Sequence, residues 1–104
     1  MSDSTLTQSL PHIPPDVAEF ASRQGVTPYL PAVLGLARRI FPEAPLSVYL
    51  EEDHVTPADR YIVIEADLNG TDSSQVADAY MRWAKELFQH CPATHVRNFR
   101  LGVV

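Results

Sequence analysis

The chain is poor in residue types that mark several protein classes. It contains a single cysteine, Cys91, so an intrachain disulfide is impossible and a reducing, cytoplasmic compartment is expected. Its four glycines are dispersed, which excludes a glycine-rich phosphate-binding loop. Its longest apolar run is far shorter than the roughly eighteen residues of a transmembrane helix, so we expect no membrane association.

Basic residues are also scarce. Eight Lys and Arg stand against thirteen Asp and Glu, which gives a formal net charge of −5 at pH 7. The only adjacent basic pair is Arg38-Arg39. Because phosphate contacts need clustered Lys and Arg, the composition argues against nucleic acid as a general partner.

The N-terminal segment differs in composition from the rest of the chain. Residues 1–13 are rich in Ser and Thr and show no periodicity. They lack the basic region and the apolar stretch of a signal peptide. We therefore predict a flexible N-terminal tail over residues 1–13 and a single α+β domain over residues 14–104, since this length suits one domain.

Two short helices are predicted in the first half of the domain. Residues 14–16 provide a proline-rich helix start, and Gly25 provides a stop, because glycine enters the left-handed conformation without steric cost. Thr27 is predicted to be the N-cap of the second helix. Pro42 ends that helix.

The strongest helical pattern lies in the second half. Asp72 and Gln75 form a capping box, and the pattern runs from there to about His90. One side of this helix is charged, and the other is apolar and is expected to lie in the core. The apolar side comprises Val76, Tyr80, Trp83, Ala84, Leu87, Phe88 and Cys91.

Three segments alternate between apolar and polar residues, as half-buried strands do: residues 46–52, 61–68 and 95–104. The order α-α-β-β-α-β predicts a three-stranded antiparallel sheet with helices packed on one face. The favoured spatial order of the strands is 2-1-3. In the alternative, the third strand lies parallel beside the second after a right-handed crossover. An edge position for the last strand would invite pairing with another chain.

The outward residues of these strands form a candidate partner-binding surface, which we call the open sheet face. Tyr and Arg are enriched in interface hot spots, which favours a docking role. The simpler interpretation is a solvated face with cross-strand ion pairs such as Glu51 with Arg100, each worth about 0.2–1 kcal/mol. The surface comprises Tyr49, Glu51, Tyr61, Glu65, Asp67, Asn98 and Arg100.

Two groups contain metal-ligating residue types. Glu65 and Asp67 share a strand face, and with Glu51 across the ladder they suggest a Mg²⁺ or Mn²⁺ site. The H-C-x3-H cluster at residues 90–95 has zinc-ligand types, but a structural zinc site takes four ligands. Neither group matches a metal-binding motif. We therefore predict no metal, no cofactor and no catalytic residue.

These observations predict a small non-catalytic protein-interaction or regulatory module that self-associates or binds another protein. Enzymatic activity is not expected. One alternative is a small metal-dependent hydrolase or nuclease that uses the acidic sheet face. A second is an adaptor or neutralising subunit for a basic partner protein, which the net charge would suit.

Overall fold

A three-stranded mixed sheet with helices on one face organises the protein. The computed structural model describes residues 11–53, 55–56, 59–68 and 73–104. Asn69-Gly70, whose sequence predicts a turn, and Asp72 of the predicted capping box lie outside these residues. The elements, in chain order, are α1 (Pro15–Gln24), α2 (Leu30–Ile40), β1 (Leu46–Glu52), β2 (Arg60–Ala66), α3 (Ser73–His90), α4 (Ala93–Val96) and β3 (Phe99–Val103).

Helix α1 ends as the sequence predicts. Gly25 has φ 73° and lies in the left-handed region. Its N–H donates to the Ser22 carbonyl at 3.2 Å, and the Val26 N–H donates to the Ala21 carbonyl at 2.9 Å. This pair of bonds is the Schellman arrangement, which satisfies carbonyl groups of the last helical turn.

The start of α2 differs from the prediction, because Thr27 does not cap an α-helix. Residues Thr27–Tyr29 form a 3₁₀ turn, and α2 begins at Leu30. In an α-helix the Thr27 carbonyl would accept from residue 31, but Pro31 has no N–H. The carbonyl accepts from the Leu30 N–H instead, which is the 3₁₀ pattern.

The predicted strand order 2-1-3 and the wholly antiparallel sheet are wrong. The order is β1-β2-β3, with β1 antiparallel to β2 and β3 parallel to β2. The central strand is therefore β2, and its residues Ile62, Val63 and Ile64 are all at least 96% buried. A strand covered on both faces has a continuous apolar run rather than an alternating one. That run in β2 is the sequence signal for the central position.

The C-terminal segment is also shorter as a strand than predicted. Residues Ala93–Val96 form the short helix α4, and β3 begins only at Phe99. Pro92 precedes α4 in an extended conformation. The Asn98 N–H then donates to the His95 carbonyl at 3.0 Å, and the chain enters the strand.

The core lies between the sheet and the helical layer. Helix α2 packs on β2 and against α3, and α3 packs on β3. Ile13 also packs against this core, as a residue just before a helix often does. The largest fully buried side chains are Leu34, Leu36, Ile62, Ile64, Val17, Val26 and Val33.

Among the residues that the structure describes, no helix is both long enough and apolar enough to cross a bilayer.

Candidate interaction surfaces

The open sheet face begins with a tyrosine–glutamate pair. Tyr49 lies in β1, and its hydroxyl donates to Glu65 Oε2 in β2 at 3.3 Å. Burial, followed by the charges of Glu65 and Glu51, raises the pKa of the Tyr49 phenol. These two strands therefore hold each other through side chains as well as through the backbone ladder.

A second pair lies on the β3 side of the same face. The Arg100 guanidinium carbon lies 4.5 Å from the centre of the Tyr61 ring, a cation–π contact. Arg100 Nη1 also donates to the Arg97 carbonyl at 3.2 Å. Val63 lies between Tyr49 and Arg100 in the register and is only 4% exposed. Side chains of the neighbouring strands therefore cover the centre of the open sheet face.

The remaining predicted partner-binding residues lie at the margins. Asp67 follows β2, where its N–H donates to the Pro45 carbonyl at 3.0 Å. Asn98, which the sequence places on the open sheet face with Arg100, is 7% exposed. Its carbonyl accepts from the Ile62 N–H at 2.7 Å, and its side-chain amide donates to the His95 carbonyl at 3.2 Å. Asn98 therefore holds the start of β3 through both its backbone and its side chain.

The strand register separates the carboxylates that the sequence suggested as metal ligands. Glu51 lies opposite Tyr61, whereas Glu65 lies opposite Ser47. Four residues along a strand correspond to about 13 Å, so Glu51 and Glu65 lie too far apart to share one ion. Within the described ranges, no group of three or more His, Cys, Asp and Glu is placed to hold a metal ion.

The H-C-x3-H cluster is spread over three environments. His90 Nε2 lies 3.1 Å from Arg39 Nη2 on the helical layer. Cys91 is 3% exposed, and burial raises the pKa of its thiol. His95 lies against the Tyr29 ring, with 5.7 Å between the ring centres. The three residues therefore lie in different surroundings, and each has contacts or burial of its own.

A surface that the sequence analysis missed lies on α3. The prediction that the whole apolar stripe of this helix is core is wrong, since Tyr80 is 41% exposed and Phe88 is 59% exposed. Met81 is 71% exposed. With two exposed alanines these side chains recur at intervals of three and four, so they occupy one side of the helix. We call this surface the outer stripe: Ala77, Tyr80, Met81, Ala84 and Phe88.

The outer stripe lies on the side of α3 that points away from α2. Glu86 and His90 face α2, where Arg39 contacts both of them, at 3.9 Å and 3.1 Å. Phe88 lies two residues from each, and two residues are a rotation of about 200° around a helix. The buried residues Trp83 and Leu87 lie between these two sides. Helix α3 therefore has a buried apolar side, which includes Trp83 and Leu87, and an exposed apolar side, which is the outer stripe.

A small polar cleft lies at the hairpin end of the sheet. Its volume is about 250 Å³, and Arg60, Arg97 and Arg100 line it together with Asp53 and Asp59. Arg60 pairs with Glu52 at 3.2 Å. Since acidic and basic side chains both line the cleft, its charges largely offset one another.

The chain was compared with protein-family models, curated proteins and solved structures, and none matched.

Proposed function

We propose that the protein is a small non-catalytic interaction module that associates with a second copy of itself through the outer stripe of α3. The observation that carries this proposal is the exposure of three large side chains, Tyr80, Met81 and Phe88, on one side of one helix. Isolated exposed apolar residues are ordinary in monomers, but a contiguous group of them is typical of an interaction site.

The size of the stripe gives a measure of the driving force. From their exposed fractions, the three large side chains present roughly 350 Å² to solvent, taking about 200 Å² for each when fully exposed. Burial of that area would contribute about 9 kcal/mol per copy before the costs of association are subtracted. The stripe therefore contributes favourably to self-association, with the costs of association still to be offset.

The symmetry of the stripe favours a second copy as the occupant. Tyr80 and Phe88 are equally spaced on either side of Ala84. If two α3 helices pack antiparallel about Ala84, each Tyr80 lies opposite the Phe88 of the other copy. The small Ala84 side chain then allows close approach at the centre. A two-fold contact requires such a self-complementary surface.

The open sheet face supports a contact less directly. Tyr49 donates to Glu65, and Arg100 stacks on Tyr61. A docked partner would have to compete with these contacts. The open sheet face is therefore the second surface to be tested, and substitution of Tyr49 tests it.

No contact among the described residues favours the metal-dependent alternative, since Glu51 and Glu65 lie far apart along the strands. The adaptor alternative rests on net charge alone.

The test is the solution mass by light scattering over a concentration series. Wild type should approach twice the chain mass of 11.6 kDa. Phe88→Glu should give the mass of one chain, because it places a carboxylate within the apolar contact. Gln89→Glu is the matched control, as it adds the same charge at the next exposed position, on the polar side of α3, and it should remain a dimer.

The effects of the variants on the solution mass distinguish the outer stripe from the open sheet face as the contact surface. If Tyr49→Glu dissociates the dimer while Phe88→Glu does not, the contact is on the open sheet face and the outer stripe proposal is wrong. A wild-type monomer at all concentrations would refute self-association. Circular dichroism of each variant establishes that it is folded.

A further inference from the structure

The free edge of β3 lies beneath the outer stripe. The strand order is β1-β2-β3, so one side of β3 has no neighbouring strand among the residues that the structure describes. Helix α2 packs on β2 and α3 packs on β3. The side of α3 that points away from α2 is therefore also the side of β3 that points away from β2. One lateral surface combines an apolar helix side with an open strand edge.

The hydrogen-bond pattern identifies which β3 residues face that edge. The Asn98 carbonyl accepts from the Ile62 N–H, and the Val104 N–H donates to the Ala66 carbonyl at 3.0 Å. Backbone groups of successive strand residues point to opposite sides, so alternate residues bond to β2. The residues between them, Phe99, Leu101 and Val103, direct their N–H and C=O groups to the open edge.

We infer that β3 of a second copy pairs antiparallel with this edge, with Leu101 opposite Leu101 of the second copy, so that one sheet runs through both copies. The inference rests on the proposed self-association and specifies its geometry. In this register Phe99 of each copy lies opposite Val103 of the other, and every outward N–H and C=O group of these residues gains a partner. The same two-fold axis brings the two outer stripes together above the strands.

Charge and the extent of pairing favour this register over its two neighbours. On the open sheet face, the proposed register places Arg100 of one copy opposite Gly102 of the other. In that other copy Glu65 neighbours Gly102 in the parallel ladder, so Arg100 lies beside Glu65. A Cβ at Gly102 would lie 3.7 Å from Glu65 Cγ, so the Glu65 side chain borders the gap that glycine leaves. An Arg100 side chain that exchanges its contacts with Tyr61 and the Arg97 carbonyl for a reach across that gap meets a carboxylate. The register centred on Arg100 would place Arg100 opposite Arg100, which is unfavourable, and the register centred on Gly102 would leave Phe99 with no opposite residue within β3.

The required interface area also favours pairing at this edge. A stable protein–protein interface buries about 800 Å² on each partner. The three large side chains of the outer stripe supply less than half of that, roughly 350 Å². Phe99 and Leu101 are only 3% and 9% exposed, so the further area comes from the backbone edge of β3 and from Arg100 and Val103.

The other free edge is a less suitable partner. The C-terminal half of β1 ends in Glu51 and Glu52, and Glu52 is held by Arg60 at 3.2 Å. Charged side chains on an edge strand disfavour pairing with another chain. The β1 edge is therefore less suited to pairing than the β3 edge, and its amides serve as the control for protection of the β3 amides.

Residue-resolved amide hydrogen exchange by NMR tests the inference on the full chain at several concentrations. The amides of Phe99, Leu101 and Val103 should exchange at least about tenfold more slowly at concentrations where the protein is a dimer than at high dilution. The amides of Val48 and Leu50, which face the free edge of β1, should exchange at concentration-independent rates.

A charge exchange tests the register. Arg100→Glu should raise the dimer dissociation constant by about tenfold or more, and Arg100→Glu combined with Glu65→Arg should restore most of the affinity. A dimer whose β3 amides show no concentration-dependent protection would overturn the β3 pairing and leave the outer stripe as the contact. A monomer at every concentration would overturn both proposals.

Discussion

Removal of the Arg38 side chain should destabilise the fold far more than removal of its neighbour Arg39. Arg38 lies in the last turn of α2, and its Nη1 donates to the carbonyls of Phe41 at 3.0 Å, Pro42 at 3.2 Å and Ala44 at 2.9 Å. These carbonyls belong to the connection between α2 and β1. Arg38 therefore ties the end of the helix to the path of the chain into the sheet.

The expected loss of unfolding free energy follows from the number of N–H donors on Arg38 Nη1. Nη1 carries two hydrogens, so its three acceptors share the equivalent of two charge-assisted bonds, each worth about 1.5–3 kcal/mol when buried. The Arg38 side chain is partly exposed, which reduces this value, and its buried Nε has no partner among the described residues, so its removal relieves a cost. We expect Arg38→Ala to lower the free energy of unfolding by about 2 kcal/mol, or Tm by roughly 10 °C.

The matched control is Arg39→Ala. Arg39 is on the same helical turn, but its side chain is 55% exposed, and its contacts with Glu86 at 3.9 Å and His90 at 3.1 Å lie on the surface. Exposed pairs of this kind contribute less than about 1 kcal/mol. Arg38→Lys, which retains the charge but not the fork of donors, should recover only part of the loss. Urea unfolding of the three variants measures these differences, and equal losses for Arg38→Ala and Arg39→Ala would refute the reasoning.

Two further predictions concern backbone conformation and pH. Gly25→Ala should lower the free energy of unfolding by about 1–2 kcal/mol, because φ is 73° at this position. Gly35→Ala lies inside α2 with nothing within 4 Å of the added Cβ, so it should raise the free energy of unfolding by about 0.5–1 kcal/mol. Urea unfolding measures both changes, and changes of the same sign would contradict this prediction. The raised pKa of Tyr49 means that the folded protein keeps a proton that the unfolded chain loses above its ordinary value of 10.0, so this contribution to stability is present below that pH and is lost as pH rises through the folded pKa. Phenolate absorbance should show a later-titrating tyrosine that Tyr49→Phe removes and Glu65→Gln shifts downward, and an unchanged titration in Tyr49→Phe would exclude the effect.

Local signals in the sequence identified most of the elements correctly. The Gly25 stop and the end of α3 at His90 are set by nearby residues, so they can be predicted from the sequence. The strand order depends on which strand is covered on both faces. The run Ile62-Val63-Ile64 carried that information, but the prediction treated β2 as an alternating strand with one exposed face.

The candidate surfaces were harder to predict. Periodicity shows that Tyr80 and Phe88 lie on the apolar part of α3, but it does not show which part of a wide apolar arc a neighbouring helix will cover. That coverage depends on the position of α2, which contacts Glu86 and His90 through Arg39. The sequence did contain a hint, because the apolar positions of α3 occupy a broader arc than one neighbour covers.

The measurement that tests the central claim most directly is sedimentation of wild type, Phe88→Glu and Gln89→Glu at matched concentrations. A dimer for wild type and Gln89→Glu, together with a folded monomer for Phe88→Glu, is the predicted result. A wild-type monomer, or a Phe88→Glu variant that dimerises as tightly as wild type, would contradict the assignment of the outer stripe of α3 as the self-association surface.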